Sequence, residues 1–395
     1  MIVSTRRTLI GGATLSAGGL LAPIVRAAAL DGHAAGFDVA PAADGLKTIP
    51  RRSGDPVQFT TSLDTAALKA TSGGWAREIT SRALPIATGI ALAHLFLNPG
   101  GAREMHWHNS AEWAYVLGGN CQVTAQDPAG ETEVVNLGLG DLWYFPRGHA
   151  HAIQALGDKP FHALLAFDDG LYSEHGTFGI SDWMSRVEPA ALAQALGVSP
   201  SELGAIPTGE TYIMQGPVVP LASPQARAEQ LLSADRTHRY RLIDGPPWAS
   251  SGKSSIFLAG RQQFPICTTM TGQVNRLEPG AMQQLHWHPS GNEFHYVAQG
   301  QVRMTLFAAD KRMAVANLMV GDCGYIPANC GHFLQNTGTG ACEVVSVQDS
   351  PNYEGATLTD WLSAAPRHLL ANNLGTAIGD VPRFKQIGAT VQKPT

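Results

Sequence analysis

The chain repeats itself. Residues 99–119 read PGGAREMHWHNSAEWAYVLGG, and residues 279–300 read PGAMQQLHWHPSGNEFHYVAQG. Further on, residues 140–154 read GDLWYFPRGHAHAIQ and residues 321–336 read GDCGYIPANCGHFLQN. His106 and His286 stand 180 positions apart; Gly140 and Gly321, like His151 and His332, stand 181 apart. Two motifs recurring at almost one offset mark a duplicated domain. A chain of 395 residues has room for two units of ordinary size. They are placed at residues 50–225 and 235–385, with the Pro/Gly-containing stretch 216–224 as linker.

Within each unit the pattern is that of short strands. Ile90–Leu97, Glu112–Val116 and Cys121–Ala125 are β-leaning and partly alternate. Gly (43) and Pro (25) punctuate such runs, which favours an all-β sandwich or small barrel over a helical bundle. Each copy closes on a helical stretch, at Pro189–Leu196 and Leu358–Leu374. A hydrophobic share of 44% supports a sizeable core, and a net charge of −5 excludes a strongly basic nucleic-acid binder. Five cysteines are too few for a disulfide scaffold, and a pairing among Cys323, Cys330 and Cys342 stays open.

Residues 1–29 read as a leader, not as part of the fold. Arg6 and Arg7 precede a mild apolar run, and Ala27, Ala28 and Ala29 offer a small-residue cleavage site. The paired arginines predict twin-arginine export and a periplasmic or secreted mature protein with no membrane span.

The His-x-His pairs carry the chemistry. On a strand, residues i and i+2 face one side, so His106 and His108 point together, as do His286 and His288. Glu112 and Glu293 follow them, and His151 and His332 lie beyond the next Gly-Asp turn. Three imidazoles and a carboxylate with open positions suit an octahedral Mn or Fe ion better than a closed tetrahedral Zn site. The open positions would admit substrate or O₂. These two sets use six of the 14 histidines. His149 also faces His151's side, while His94, His162 and His295 read as core residues. Trp107 and Trp287, between the paired histidines, face outward and read as packing residues, with electron relay the sharper alternative.

At these residues the sequence resembles the cupin superfamily. The first cupin motif appears as Gly100, His106, His108, Glu112, Gly119 and again as Gly280, His286, His288, Glu293, Gly300. The second appears as Gly140, Pro146, Gly148, His151 and as Gly321, Pro327, His332, with Asn329 where Gly is usual. More narrowly, Arg103 to His108, Gly140 to Pro146 and Phe167 to Glu174 resemble the bicupin oxalate decarboxylases, over nearly the whole chain after residue 29. That resemblance implies two double-stranded β-helix domains, Mn²⁺ in each, O₂ as co-catalyst, oxalate as substrate and a homo-oligomer, often a hexamer. It implies that the N-terminal copy is catalytic, that Arg103 holds oxalate, and that Glu174 passes protons from a lid, Ser173-Glu174-His175-Gly176-Thr177. Parity on an ideal strand turns Arg103 away from His106, so the residues alone do not place it at the site. The family lid usually reads Ser-Glu-Asn-Ser; His175 and Gly176 depart from it, which keeps oxalate oxidase as the nearest rival activity. A non-enzymatic metal-binding bicupin and an Fe dioxygenase are the more distant ones. Gln283 stands where the repeat would put a second Arg103, so the C-terminal copy is expected to be auxiliary.

Overall fold

The computed structural model describes residues 57–384 apart from 174–175, 206, 208 and 310–311, together with the short strand Val391–Gln392. The leader, Glu174 and His175 lie outside the described residues. Among the described residues, no helix is long and apolar enough to cross a membrane.

Each copy is a pair of antiparallel sheets, and the few helices are short. In the N-terminal copy, strands Glu112–Gly118, Phe161–Phe167 and Ala91–Leu97 lie side by side in one sheet. Gly101–Trp107, Ala150–Leu156 and Asn120–Gln126 lie side by side in the facing sheet. The C-terminal copy repeats this with Glu293–Gln299, Cys342–Gln348 and Thr271–Leu277 facing Gln301–Ala308 and Gly331–Asn336. Alternation supplies the inner faces: Val123, Ile153, Leu165 and Phe161 fill the N-terminal barrel, and Val302, Met304, Leu334 and Val344 fill the C-terminal one.

The copies trade strands. Thr60–Ser62, which precedes the N-terminal barrel, pairs with Asp322 to Gly324 of the C-terminal copy. Arg239–Arg241, which precedes the C-terminal barrel, pairs with Asp141 to Trp143 of the N-terminal copy. Each short strand covers an edge of the other copy's large sheet, which removes an aggregation-prone edge and ties the halves together. Periodicity within one repeat carries no information about such an exchange. The division at 50–225 and 235–385 therefore describes the repeats and not two separable bodies. A third core cluster fills the seam, with Trp113, Tyr115 and Tyr144 from one copy against Phe264, Phe294 and Tyr325 from the other. Gly272 matters here: a Cβ would stand 2.1 Å from the Trp113 ring.

The seam also buries titratable groups. His94 is 2% exposed, and its ring meets those of His162 and Tyr296 edge-on at 4.7 and 4.9 Å. Burial, with His162 and Arg77 nearby, lowers His94 from 6.5 to about 3. The folded state thus keeps His94 neutral while the unfolded chain takes up a proton below 6.5. The stability this contributes is complete above pH 6.5 and falls as pH drops toward 3. His94→Phe should flatten the pH dependence of unfolding across that window, by an effect on the order of a few kcal/mol. Urea titrations of both proteins at pH 7 and pH 4.5 check this; equal pH slopes would refute it.

All five cysteines are free thiols, and Cys323, Cys330 and Cys342 form no disulfide. Asn329 sits at φ +64°, the left-handed conformation that Gly148 takes at +78° in the first copy, and Asn tolerates that region. The turn survives the substitution.

Candidate metal centres and active site

The structure brings both predicted ligand sets together. His106, His108, Glu112 and His151 form one buried group, and His286, His288, Glu293 and His332 another; within each, the ligand atoms lie within 4.8 Å of one another. The reason is register. His106 and His151 are direct cross-strand partners, as are His286 and His332. His108 and Glu112 come from the adjoining turn and strand.

Every one of the six imidazoles is oriented by the backbone. The Nδ1 of His106, His108 and His151 donates to the carbonyls of Glu104, Ser110 and His149 at 2.7, 2.7 and 2.9 Å. The Nδ1 of His286, His288 and His332 donates to those of Gln284, Glu354 and Cys330 at 2.7, 2.7 and 3.1 Å. That fixes one tautomer and leaves each Nε2 lone pair for the centre. His108 and His151 place Nε2 at 3.1 and 3.6 Å from Glu112 Oε2; His288 and His332 place it at 3.1 and 3.0 Å from Glu293 Oε2.

Electrostatics agrees with this. Burial, then the adjacent Arg103 and histidines, holds His106 well below its ordinary value. Burial outweighs the pull of Glu112 and also lowers His151. Burial opposes charge on Glu112, but the hydrogen bonds and charges of His108 and His151 outweigh it and hold the carboxyl low. Imidazoles such as His106 and His151, held toward the neutral form beside an ionised Glu112, are what a divalent ion of the Mn or Fe type requires.

Arg103 is where the strand departs from ideal parity. His106 pairs with His151 but Arg103 pairs with Ile153, so the register slips by one residue between them. This bulge turns Arg103 to His106's side. Arg103 is 4% exposed and lines one small cavity with His106, Glu112, Ile153, Leu165 and Tyr172; its free volume is about 10 Å³. The neighbouring residues hold the guanidinium in place. Its Nη1 donates to the Tyr212 carbonyl at 3.2 Å, and its Cζ stands 4.4 Å over the Tyr212 ring. The buried Glu104 lies 4.0 Å away and accepts from Ser181 Oγ at 2.5 Å and Tyr212 N at 3.0 Å. Glu104, Ser181 and Tyr212 carried no sequence signal beyond the adjacency of Glu104 to Arg103.

The described residues on either side of 174–175 stand beside the same group. The chain enters this stretch at Tyr172, whose ring is 5.7 Å from that of His108, and leaves through Phe178–Gly179, which pairs with Trp107 and His106. Gly176 N donates to the Ser173 carbonyl at 2.7 Å, and Thr177 Oγ1 bonds Tyr172 Oη at 3.3 Å. Trp107 packs outward against Phe178 and Trp183, and Trp287 against Trp361.

The family pattern described as Cupin matches residues 62–203 and 243–380, one match per copy. The oxalate decarboxylase OxdC of Bacillus subtilis is 35% identical over 307 residues, covering 76% of this chain and 78% of that protein. A probable oxalate decarboxylase of Arthroderma benhamiae is 31% identical, covering 80% and 78%. A solved structure of the Bacillus subtilis oxalate decarboxylase, determined in a study of its Mn(II) centres, superposes with a TM-score of 0.79 at 32% identity, covering 87% of this chain and 90% of that one. The chain is a member of the bicupin oxalate decarboxylase family.

The two copies of this bicupin differ around equal ligand sets. Trp143 Nε1 donates to Glu112 Oε1 at 2.7 Å. Gly324 stands at Trp143's position in the second copy, and there Gln273 Nε2 donates to Glu293 Oε1 instead, at 2.5 Å. Arg103 and Glu104 become Gln283 and Gln284, so a buried ion pair becomes two neutral amides. His295 is a buried core histidine: its Nδ1 meets Ser346 Oγ at 2.7 Å, and its Nε2 lies 3.3 Å from Glu293. Its counterpart in the first copy is Ala114, so the repeat itself carried that signal.

Proposed function

We propose that this chain decarboxylates oxalate to formate and CO₂ at its N-terminal site, with Mn²⁺ in both copies and O₂ as co-catalyst. The observation that carries the assignment to the N-terminal site is Arg103: the strand bulge puts a buried guanidinium beside His106, and Gln283 fills that place in the other copy. His106, His108, Glu112 and His151 would hold the catalytic ion. His286, His288, Glu293 and His332 would hold the second. A bound Mn²⁺ supplies Lewis acidity and, with O₂, a one-electron path.

The chain's own residues do the rest. Arg103 accepts the oxalate dianion through charge-assisted hydrogen bonds and stabilises charge that builds on the carboxylate during C–C cleavage. Its anchoring by Tyr212 and Glu104 keeps that geometry fixed before substrate arrives. Glu174 takes up a proton from solvent, and after CO₂ leaves it returns that proton to the remaining one-carbon fragment. The balance is oxalate dianion plus one proton to formate plus CO₂, with no net oxidation. Failure of that proton return opens the oxidase route to a second CO₂ and hydrogen peroxide. Gly176 gives the segment after Tyr172 backbone freedom as substrate enters.

Product analysis on metal-assayed protein tests the reading. Formate at about one per oxalate is expected; peroxide without formate would make the chain an oxidase. Glu174→Ala should cut formate by about 10²-fold, the low end for a lost proton-transfer group, and leave Mn content unchanged. Equal loss of both would refute the proton role.

Two further readings rest on the sequence and the surface. The leader argues for twin-arginine export, tested by locating the processed protein. Trp183 and Trp361, 61% and 65% exposed, argue for contact between copies of this chain in a homo-oligomer, a hexamer in the family pattern. Light scattering decides the number.

A further inference from the structure

The inside of the C-terminal barrel carries a buried polar cluster that the proposed decarboxylation does not use. Its inner wall carries Gln273 and Asn275 on one strand, Ser346 and Gln348 on the next, and His295 on the third. Cross-strand pairing puts them on one face. Gln273 and His295 both stand opposite Ser346, and Glu293 stands opposite Gln348. Gln283 joins from the facing sheet. All are 0–1% exposed.

The first copy has nothing similar. The same positions there are Ala93, Leu95, Leu165, Phe167 and Ala114, with Arg103 in place of Gln283. Duplication therefore preserved the ligand set and inverted the lining from apolar with one cation to polar and neutral. Six atoms of the lining have no hydrogen-bond partner within the protein: Gln273 Oε1, Asn275 Oδ1, and both ends of Gln283 and Gln348. Interiors rarely leave such groups unpaired, and here four acceptors and two donors sit inside one barrel, those of Gln283 on the sheet facing the rest.

We propose that these unpaired groups form a binding site for a small hydroxylated monocarboxylate, seated on the C-terminal ion and held by Gln283 and Gln348. The charge count selects a monoanion. A divalent ion and the Glu293 carboxylate leave one positive charge, and no Arg or Lys is present to balance a second negative one, so oxalate dianion is disfavoured. The hydrogen-bond count selects the hydroxyl. Two amide N–H groups answer the carboxylate, and the free carbonyl oxygens need a donor that a plain carboxylate lacks. The site goes beyond the proposed decarboxylation and shares with it only the reading that both copies hold a metal.

Calorimetric titration of the Mn-loaded full chain with glycolate, and separately with acetate, tests it. Glycolate is expected to bind about tenfold or more tighter than acetate, because a site built for a hydroxyl rejects the analogue without one. Gln283→Leu/Gln348→Leu should weaken glycolate by about tenfold or more and leave oxalate turnover and Mn content unchanged. Gln283→Glu, which keeps the shape and adds a negative charge, should weaken it comparably and guards against misfolding of the double variant. Equal affinity for the two acids, or binding indifferent to both glutamines, overturns the proposal. A metal count below two per chain with glutamine-dependent glycolate binding would break the two-metal reading and leave the binding site standing.

Discussion

Arg103→Lys should lower oxalate turnover by about 10²–10³-fold while the protein keeps its fold and both metals. The magnitude is that of losing one preorganised group aimed at developing charge, about 2.7–4 kcal/mol. Lys keeps the charge, so a residue that served only as a long-range counter-ion would be replaced with little loss. It cannot reproduce the planar fork or stack on the Tyr212 ring, where Arg103 Cζ now stands at 4.4 Å. Glu104 is not orphaned by the change, because Ser181 Oγ and Tyr212 N continue to bond it. The loss should fall on kcat as well as KM, since the same contact that binds the dianion stabilises the cleavage transition state. Steady-state kinetics with metal analysis checks it; a loss confined to KM would reduce Arg103 to a binding residue. The reverse change, Gln283→Arg alone, should not create activity, because at the 181-residue offset Gly355 stands where the first copy has Glu174, with Glu354 in the place of Ser173.

Arg103 also shows where the sequence stopped being legible. The ligand sets could be read because they depend on two short-range facts, the two-residue strand period and a motif repeated 180–181 positions on. Both are local, and the structure assembles all eight residues. The face of Arg103 depends instead on a bulge between His106 and Ile153's partner, and strict alternation gives the wrong side. A resemblance to the family supplied what parity could not. The all-β fold followed from Gly/Pro spacing, but the reciprocal exchange of Thr60–Ser62 and Arg239–Arg241 did not. Three-residue strands carry too little pattern to announce a partner in the other copy. His295 is a buried core histidine outside the ligand group, as its lone position implies; aligned against Ala114, it also marks the polar lining of the second barrel.

The asymmetry between the copies has a direct test. His106→Ala/His108→Ala should leave one Mn per chain and less than about a thousandth of the wild-type turnover. His286→Ala/His288→Ala should also leave one Mn per chain but keep turnover within about threefold. The argument rests on what each site retains. Removing two of three imidazoles destroys an N₃O set, since the remaining His and Glu hold a divalent ion weakly. In the N-terminal copy that loss takes away the ion Arg103 works beside; in the C-terminal copy it does not touch Arg103, Tyr212 or the segment around residue 174. Neither variant should unfold the chain wholesale. Glu112 keeps its bond from Trp143 Nε1 at 2.7 Å, and Glu293 keeps Gln273 Nε2 and His332. Each carboxylate nonetheless loses partners for a buried charge, at a cost of a few kcal/mol, so both variants should melt earlier than wild type by similar amounts. Similar melting with unequal turnover separates chemistry from stability. Full turnover in the first variant would move the reaction to the C-terminal copy, and equal loss in both would make the two centres one functional unit.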